Sequence, residues 1–227
     1  MVRSHRLQKV LESAARLQRL IPDAVLVGGS AAALHAGHRE SFDHDHVLVD
    51  LDHRYAQVLE AVEASEGWAT SVRASRPPLT IMGSLDGVQA GLRNLRRTQP
   101  LETIAIEITT GVTVVVPTLE EMLRVKAYLV VQRNVVRDYL DVVALADRLG
   151  LARAGAVLRG IDDYYDDLSQ APGSVLTSLA LALAQPSPRD VDVIPELPRY
   201  RGLDPRWHDW SSVVAACEAL SLQVIEP

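Results

Sequence analysis

The sequence predicts an α+β fold, in which a mixed β-sheet with helices is followed by a mostly helical second half. Two observations predict this fold. Between residues 21 and 117, short apolar segments of strand length alternate with turn residues and with helical patterns. From residue 118 to about 184, the apolar residues recur mainly at helical spacing. We therefore expect two domains, one over residues 1–117 and one over residues 118–227.

The elements of the first half can be placed in order along the chain. The N-terminal segment is an amphipathic helix that ends near residue 20. The predicted elements that follow are an apolar strand at 24–27, an alanine-rich helix, a strand that begins at Asp43, a helix at 55–65, short strands between 68 and 92, and a β-hairpin at 101–116. In the second half, helices precede a proline-rich stretch after residue 184, and a final helix spans 211–220.

A glycine-rich junction follows the first strand. Gly28 and Gly29 come directly after the apolar run, and Ser30 leads into the alanine-rich helix. Two glycines let the backbone approach a phosphate closely, and the following helix offers N–H groups at its positive end. Ser30 adds a hydroxyl donor, so this junction is a candidate phosphate site.

Two aspartates open the next strand. Side chains alternate along a strand, so Asp43 and Asp45 lie on the same face and bring two carboxylates together. Mg²⁺ takes oxygen ligands and is usually held by one or two carboxylates together with substrate phosphates. The strand, the glycine junction and the aspartates, in this order, predict a metal-dependent site for nucleotidyl transfer.

These motifs resemble the nucleotidyltransferase fold of the DNA polymerase beta superfamily, and within it the AbiEii-type toxins, including their mycobacterial relatives. The motifs that carry the resemblance are Gly28-Gly29-Ser30, His38-Arg39-Glu40-Ser41 and Asp43-His44-Asp45. The resemblance implies a nucleotidyltransferase catalytic domain over residues 1–117. It also implies that Asp43 and Asp45 hold one or two Mg²⁺ ions and that Gly28, Gly29, Ser30, Arg39 and Ser41 bind the NTP.

The resemblance also implies a third metal ligand on a neighbouring strand. In the hairpin, Glu107 lies between Ile106 and Ile108, opposite the face of the isoleucines. Glu107 is either an exposed glutamate of an edge strand or, as the resemblance implies, the third acid that binds the metal.

A second signature of the AbiEii-type toxins lies in the helical half. It is a lysine, an arginine and an Arg-Asp-x-x-Asp motif, which here are Lys126, Arg133, Arg137, Asp138 and Asp141. Lys126 and Arg137 are candidates for nucleotide binding, and Lys126, Asp138 and Asp141 are candidates for a catalytic role. The alternatives are a surface lysine and two aspartates in structural ion pairs.

This chain departs from the family where it has His44 and His46, since the family usually has apolar residues after each aspartate. Strand alternation turns both histidines away from the carboxylates. They are therefore either histidines packed beneath the strand or part of an Asp/His site for a transition metal.

Composition limits the possible partners. The net charge of −6 argues against a general nucleic-acid binder. A local groove for RNA phosphates is still compatible with the sequence, since the first half contains the arginines Arg73, Arg76, Arg93, Arg96 and Arg97. No apolar run has the length of a membrane span and no signal peptide is recognisable, so we expect no membrane partner and a cytoplasmic location. Cys217 is the only cysteine, which excludes an intramolecular disulfide and predicts a small buried residue in the last helix.

The resemblance implies NMP transfer to the 3′ end of tRNA, by a toxin held in check by a cognate antitoxin protein. The residues themselves do not specify the acceptor. Transfer to a protein or to a small molecule, and a non-catalytic nucleotide-binding module, remain alternatives.

Overall fold

The computed structural model describes residues 4–97, 99–165, 174–200 and 202–225. The chain divides into two compact units, residues 1–118 and 119–227. The first unit contains a mixed sheet with helices, and the second is helical. The predicted α+β fold class is therefore confirmed.

The first unit contains all of the strands in the described ranges. Its elements are α1 (His5–Leu20), β1 (Val25–Val27), α2 (Gly28–Ala36), β2 (Asp43–Leu48), α3 (Leu51–Glu63), β3 (Trp68–Thr70), β4 (Thr80–Leu85), β5 (Val88–Asn94), β6 (Thr103–Thr109) and β7 (Val112–Pro117). Five strands form one sheet in the order β1-β2-β5-β4-β3, while β6 and β7 form a separate antiparallel pair. Within the larger sheet only β2 and β5 are parallel.

One face of the five-stranded sheet packs on α1 and α3 and forms the core of the first unit. The helices contribute Leu17, Leu51, Val58 and Val62, and the strands contribute Leu48, Ile81, Leu85, Ala90 and Leu92. Burying a side chain such as leucine or valine stabilises a fold by about 1.5–3 kcal/mol, so this layer fixes which face of each strand points inward. By alternation the opposite face carries Asp43, Asp45, Gly91 and Arg93.

The second unit consists of α4 (Leu119–Arg133), α5 (Val136–Leu149), α6 (Leu151–Arg159), α7 (Val175–Ala184) and α8 (Trp210–Ile225). Short 3₁₀ helices cover Ile161–Asp163, Val191–Arg199 and Pro205–Trp207. Helices α6 and α8 pack closely at Gly155, because a Cβ atom there would lie 2.5 Å from the carbonyl oxygen of Gln223. Cys217 is fully buried in α8, as the sequence predicted, and burial raises the pKa of its thiol to about 12.

No helix in the described parts of the chain is both long enough and apolar enough to cross a membrane.

Candidate functional site

The turn between β1 and α2 is made by a single residue. Gly28 has a φ of +74°, a left-handed conformation that side chains disfavour, and α2 already begins there. The sequence predicted a turn over Gly28, Gly29 and Ser30 with the helix after it. The helix starts earlier because the left-handed φ of Gly28 reverses the chain direction in one step. The first N–H groups of α2 therefore come directly after β1, where Val27 makes no side-chain cap.

Gly28 lies against one of the two aspartates. Val27 pairs with Asp45 across β1 and β2, and a Cβ atom built on Gly28 would be 3.5 Å from Oδ2 of Asp45. The start of α2 and the carboxylate of Asp45 are thus neighbours. A helix N-terminus favours negative charge, so a phosphate can be accommodated at this place together with a cation.

Gly29 forms a tight cluster with Arg39 and Ser41. A Cβ atom on Gly29 would lie 2.8 Å from Nη2 of Arg39 and 2.9 Å from Oγ of Ser41, so no side chain fits there without displacing them. Both Arg39 and Ser41 are buried. The Ser41 hydroxyl donates a hydrogen bond of 3.1 Å to Oδ1 of Asp43. The structure therefore groups five predicted site residues beside Asp45, namely Gly28, Gly29, Arg39, Ser41 and Asp43.

Ser30 is engaged in a different way from the one expected. Its hydroxyl donates to the backbone carbonyl of Asp43, and its side chain is 1% exposed. The hydroxyl thus joins the first turn of α2 to the start of β2. It positions Asp43 relative to the glycines.

Asp43 and Asp45 lie on the more open face of the sheet. Asp43 is exposed and Asp45 is partly buried. Oδ1 of Asp45 is 3.3 Å from Nε of Arg93 on the neighbouring strand β5. A Cβ atom on Gly91, the direct partner of Asp45 across β2 and β5, would lie only 2.4 Å from the same oxygen. Sequence reasoning did not assign Arg93 or Gly91 to this site, because their proximity depends on a parallel pairing between strands that are distant in sequence.

His44 and His46 lie on the core face of β2, as alternation predicted, and both are buried. Nε2 of His44 is 3.0 Å from the hydroxyl of Ser13, and the two rings meet edge to face with their centroids 5.2 Å apart. Burial lowers the pKa of His44 to about 4 and the pKa of His46 well below its usual range. Both histidines are therefore neutral at pH 7 and pack beneath the strand that carries the aspartates.

Glu107 is exposed near the end of the β6–β7 hairpin. Its Oε1 accepts a hydrogen bond of 2.9 Å from the backbone N–H of Gly111, and a register shift interrupts the strand pairing between Glu107 and Thr109. In the described ranges, no three side chains among histidine, cysteine, aspartate and glutamate are grouped so that they could hold a metal ion. The structure therefore does not bring Glu107 into a three-ligand group with Asp43 and Asp45.

In the second unit, the two predicted aspartates are buried and each forms an ion pair with a predicted cationic side chain. Nζ of Lys126 on α4 lies 2.7 Å from Oδ2 of Asp141 on α5, with side-chain exposures of 3% and 0%. Arg133 donates two hydrogen bonds to Asp138, of 3.0 and 2.7 Å. Arg137 is exposed on α5. Both pairs correspond to the structural ion pairs that the sequence left open for Asp138 and Asp141, whereas Lys126 is buried and is not a surface lysine.

The chain has a nucleotidyltransferase-type fold. Its structure is similar to JHP933 from Helicobacter pylori, with a TM-score of 0.53 over 98% of this chain and 93% of that chain, at 15% sequence identity. It is also similar to a structure from H. pylori described as a candidate nucleotidyltransferase, with a TM-score of 0.51 over 98% and 96% of the two chains at 15% identity. At such identities the likeness shows the fold alone.

In sequence, the chain is similar to part of a much longer mycobacterial protein. It is 32% identical over 227 residues to the heme uptake protein MmpL11 of Mycobacterium tuberculosis, which covers 96% of this chain and 22% of that protein. The mycolic acid-containing lipids exporter MmpL11 of Mycolicibacterium smegmatis is 31% identical over 132 residues, 58% of this chain and 13% of that protein. The chain thus spans less than a quarter of the length of these relatives. No protein-family model matches the sequence.

Proposed function

We propose that this protein is a nucleotidyltransferase that transfers NMP from an NTP to an acceptor hydroxyl and releases pyrophosphate. One observation carries the proposal: Asp43 and Asp45 share a face of β2, directly beside the N-terminus of α2 and the cluster of Gly29, Arg39 and Ser41. Oxygen ligands for a divalent cation and a site for phosphates are therefore adjacent, as nucleotidyl transfer requires.

The donor set suits Mg²⁺, which is usually held by one or two carboxylates and completes its coordination with waters and substrate phosphates. Asp43 and Asp45 would hold it on the accessible face of the sheet. When bound, the cation neutralises phosphate charge and lowers the pKa of an attacking hydroxyl. Glu107 is not required for this arrangement, because two carboxylates suffice.

The protein's own groups would bind and orient the triphosphate. Gly28 carries no side chain at the start of α2, and Gly29 leaves the space that Arg39 and Ser41 occupy beside the first N–H groups of the helix, so that phosphates would meet these groups together. Arg39, held in place by its packing against Gly29, supplies a fixed positive charge on the same side. A planar guanidinium can bind two phosphate oxygens at once, so Arg39 would orient as well as neutralise.

For the acceptor we propose the 3′ end of tRNA, and for the protein the role of an AbiEii-type toxin that a cognate antitoxin restrains. The motifs from Gly28 to Asp45 and from Lys126 to Asp141 support this assignment through their resemblance to that family. The exposed Arg73, Arg76 and Arg96 would supply cations for RNA phosphates. Such a reaction belongs in the cytoplasm, where NTPs and tRNA are found.

The test is transfer of label from each α-³²P-labelled NTP in the presence of Mg²⁺, total tRNA and cell extract, with RNA and protein products separated on different gels. Asp43→Asn and Asp45→Asn should each lower transfer by at least about 100-fold, since each removes a charged ligand of the cation. Asp52→Asn, which changes an aspartate on the helix α3, is the matched control and should transfer normally. Wild-type turnover in either of the first two variants would refute the assignment.

A second function is favoured by the similarity to MmpL11, whose described members take part in heme uptake or lipid export. In this alternative the protein is a module that binds a nucleotide without transferring it and acts together with a membrane transporter. The same labelled NTPs distinguish the two functions. Retention of NTP on a filter without release of pyrophosphate, in the presence of Mg²⁺ and every acceptor, would favour the module.

A further inference from the structure

Arg93 lies where it can control one of the two proposed metal ligands. Its Nε is 3.3 Å from Oδ1 of Asp45, and the two residues sit on adjacent parallel strands. We propose that Arg93 is a positioning residue that occupies Asp45 while the metal is absent and moves to the triphosphate when the cation binds. This inference rests on the proposed function, in which Asp45 is a ligand of Mg²⁺.

The contact depends on an open space above Gly91. Arg93 pairs with Val47 across the strands, so it must reach back over Gly91 to meet Asp45. A Cβ atom on Gly91 would lie 2.4 Å from Oδ1 of Asp45 and 3.0 Å from the sulfur of Met82. Nη2 of Arg93 is 3.6 Å from that same sulfur. The absence of a side chain at Gly91 therefore leaves the room that Asp45 and Arg93 share.

The two oxygens of Asp45 have different surroundings. Oδ2 faces Gly28 at the start of α2, whereas Oδ1 faces Arg93. Asp43 differs, because its Oδ1 accepts a hydrogen bond from the neutral hydroxyl of Ser41. Of the two aspartates, Asp45 is therefore the one that forms an ion pair with a cationic side chain among the described residues of the first unit. A metal ion and Arg93 therefore compete for Asp45.

The pair is exposed enough to exchange partners. The side chain of Arg93 is 46% exposed and that of Asp45 is 29% exposed. Exposed ion pairs of this kind change an equilibrium by no more than about fivefold, so a divalent cation displaces the guanidinium readily. Once released, the planar fork of Arg93 suits phosphate oxygens, and these arrive together with the metal.

Binding experiments separate the two parts of this role. Without nucleotide, Arg93→Gln should bind Mn²⁺ about two- to fivefold more tightly than the wild type, because the competing cation is gone. With Mn²⁺ present, the same variant should bind a non-hydrolysable NTP analogue at least about threefold more weakly, because a charged phosphate ligand is lost. Isothermal titration measures both affinities. Arg19→Gln removes the same charge from an exposed arginine of α1 and should change neither.

The opposite signs distinguish this role from a structural one. A variant that only loosens the site would weaken both affinities, and this result, or an unchanged Mn²⁺ affinity, would overturn the inference. Asp45→Asn tests the underlying function in the same titration. If Mn²⁺ binding depends on Asp45 but not on Arg93, the proposed function stands and the role of Arg93 is wrong. If the wild type binds no Mn²⁺, or binds it equally well without Asp45, both are wrong.

Discussion

Replacing Lys126 by alanine should destabilise the second unit strongly. The substitution removes the partner of Asp141, whose side chain is fully buried and lies 2.7 Å from the ammonium nitrogen. Breaking a buried ion pair by deleting one partner costs about 3–5 kcal/mol, because the remaining carboxylate loses its cationic partner in a medium of low polarity. This magnitude greatly exceeds that of an exposed lysine, for which we would expect about 0–1 kcal/mol.

The double variant Lys126→Met with Asp141→Leu sharpens the prediction. Replacing both members of a buried pair by apolar residues of similar volume is often neutral or stabilising. We therefore expect the double variant to recover most of the stability that Lys126→Ala loses. Recovery would show that the loss comes from the buried charge of Asp141 after removal of Lys126 rather than from a missing contact of the lysine stem.

Urea unfolding followed by tryptophan fluorescence measures these effects. The background is Trp68→Phe, so that emission comes from Trp207 and Trp210, both in the second unit. With a urea m-value of about 2 kcal/mol/M, a loss of about 4 kcal/mol lowers the midpoint by roughly 2 M. A midpoint within about 0.3 M of the background would refute the argument from burial. If nucleotide affinity fell while that midpoint held, Lys126 would be a phosphate ligand and not a structural residue.

Three further predictions concern the first unit. Gly91→Ala should lower transfer by roughly 10- to 100-fold with the fold retained. The added Cβ would lie 2.4 Å from Oδ1 of Asp45 and must therefore push the carboxylate out of position. Normal turnover would contradict this geometry. The contribution of His44 to the stability of the first unit should be constant from about pH 7 upward. It should fall by roughly 3 kcal/mol as the pH drops from 6.5 to 4, because burial lowers the pKa of His44 to about 4 and the unfolded chain binds that proton first. A flat profile of chemical unfolding against pH over this range would exclude it. Ser41→Ala should lower transfer by about two- to tenfold, because the hydrogen bond to Asp43 is lost. Ser41→Glu should lower transfer far more, because it places a second negative charge in a buried position beside a carboxylate. Equal activity of the two folded variants would show that Ser41 is not part of the site.

Local patterns in the sequence predicted the part of the site that depends on neighbouring residues. Alternation along β2 correctly put His44 and His46 on the buried face and the two aspartates on the other, because the strand is regular and one face is packed. The same short-range pattern correctly put a turn at Gly28, although the helix begins earlier than the sequence indicated.

The sequence could not predict which strands pair when they are distant along the chain. Arg93 reaches Asp45 only because β5 runs parallel to β2, and no local pattern reveals which strands become neighbours. The position of Glu107 relative to the two aspartates was equally out of reach, because it depends on how the hairpin packs in the first unit and not on alternation within β6. From the sequence, the lysine of α4 could be assigned either to phosphate or to the surface, and only the contact with α5 shows its buried partner.

The two faces of β2 carry different kinds of side chain, and this difference affects how reliably the strand pairs in the correct register. Shifting β2 by one residue against β1 and β5 would turn the aspartates into the apolar layer and put the histidines outside. Burying two carboxylates there would be penalised by several kcal/mol each, far more than the loss of a few apolar contacts. The acids that we assign to chemistry therefore also discriminate against a slipped sheet. An insertion of one residue between Ser41 and Asp43 should consequently leave the register of the sheet intact, although it separates this hydrogen-bonded pair, while one inside β2 should lead to aggregation.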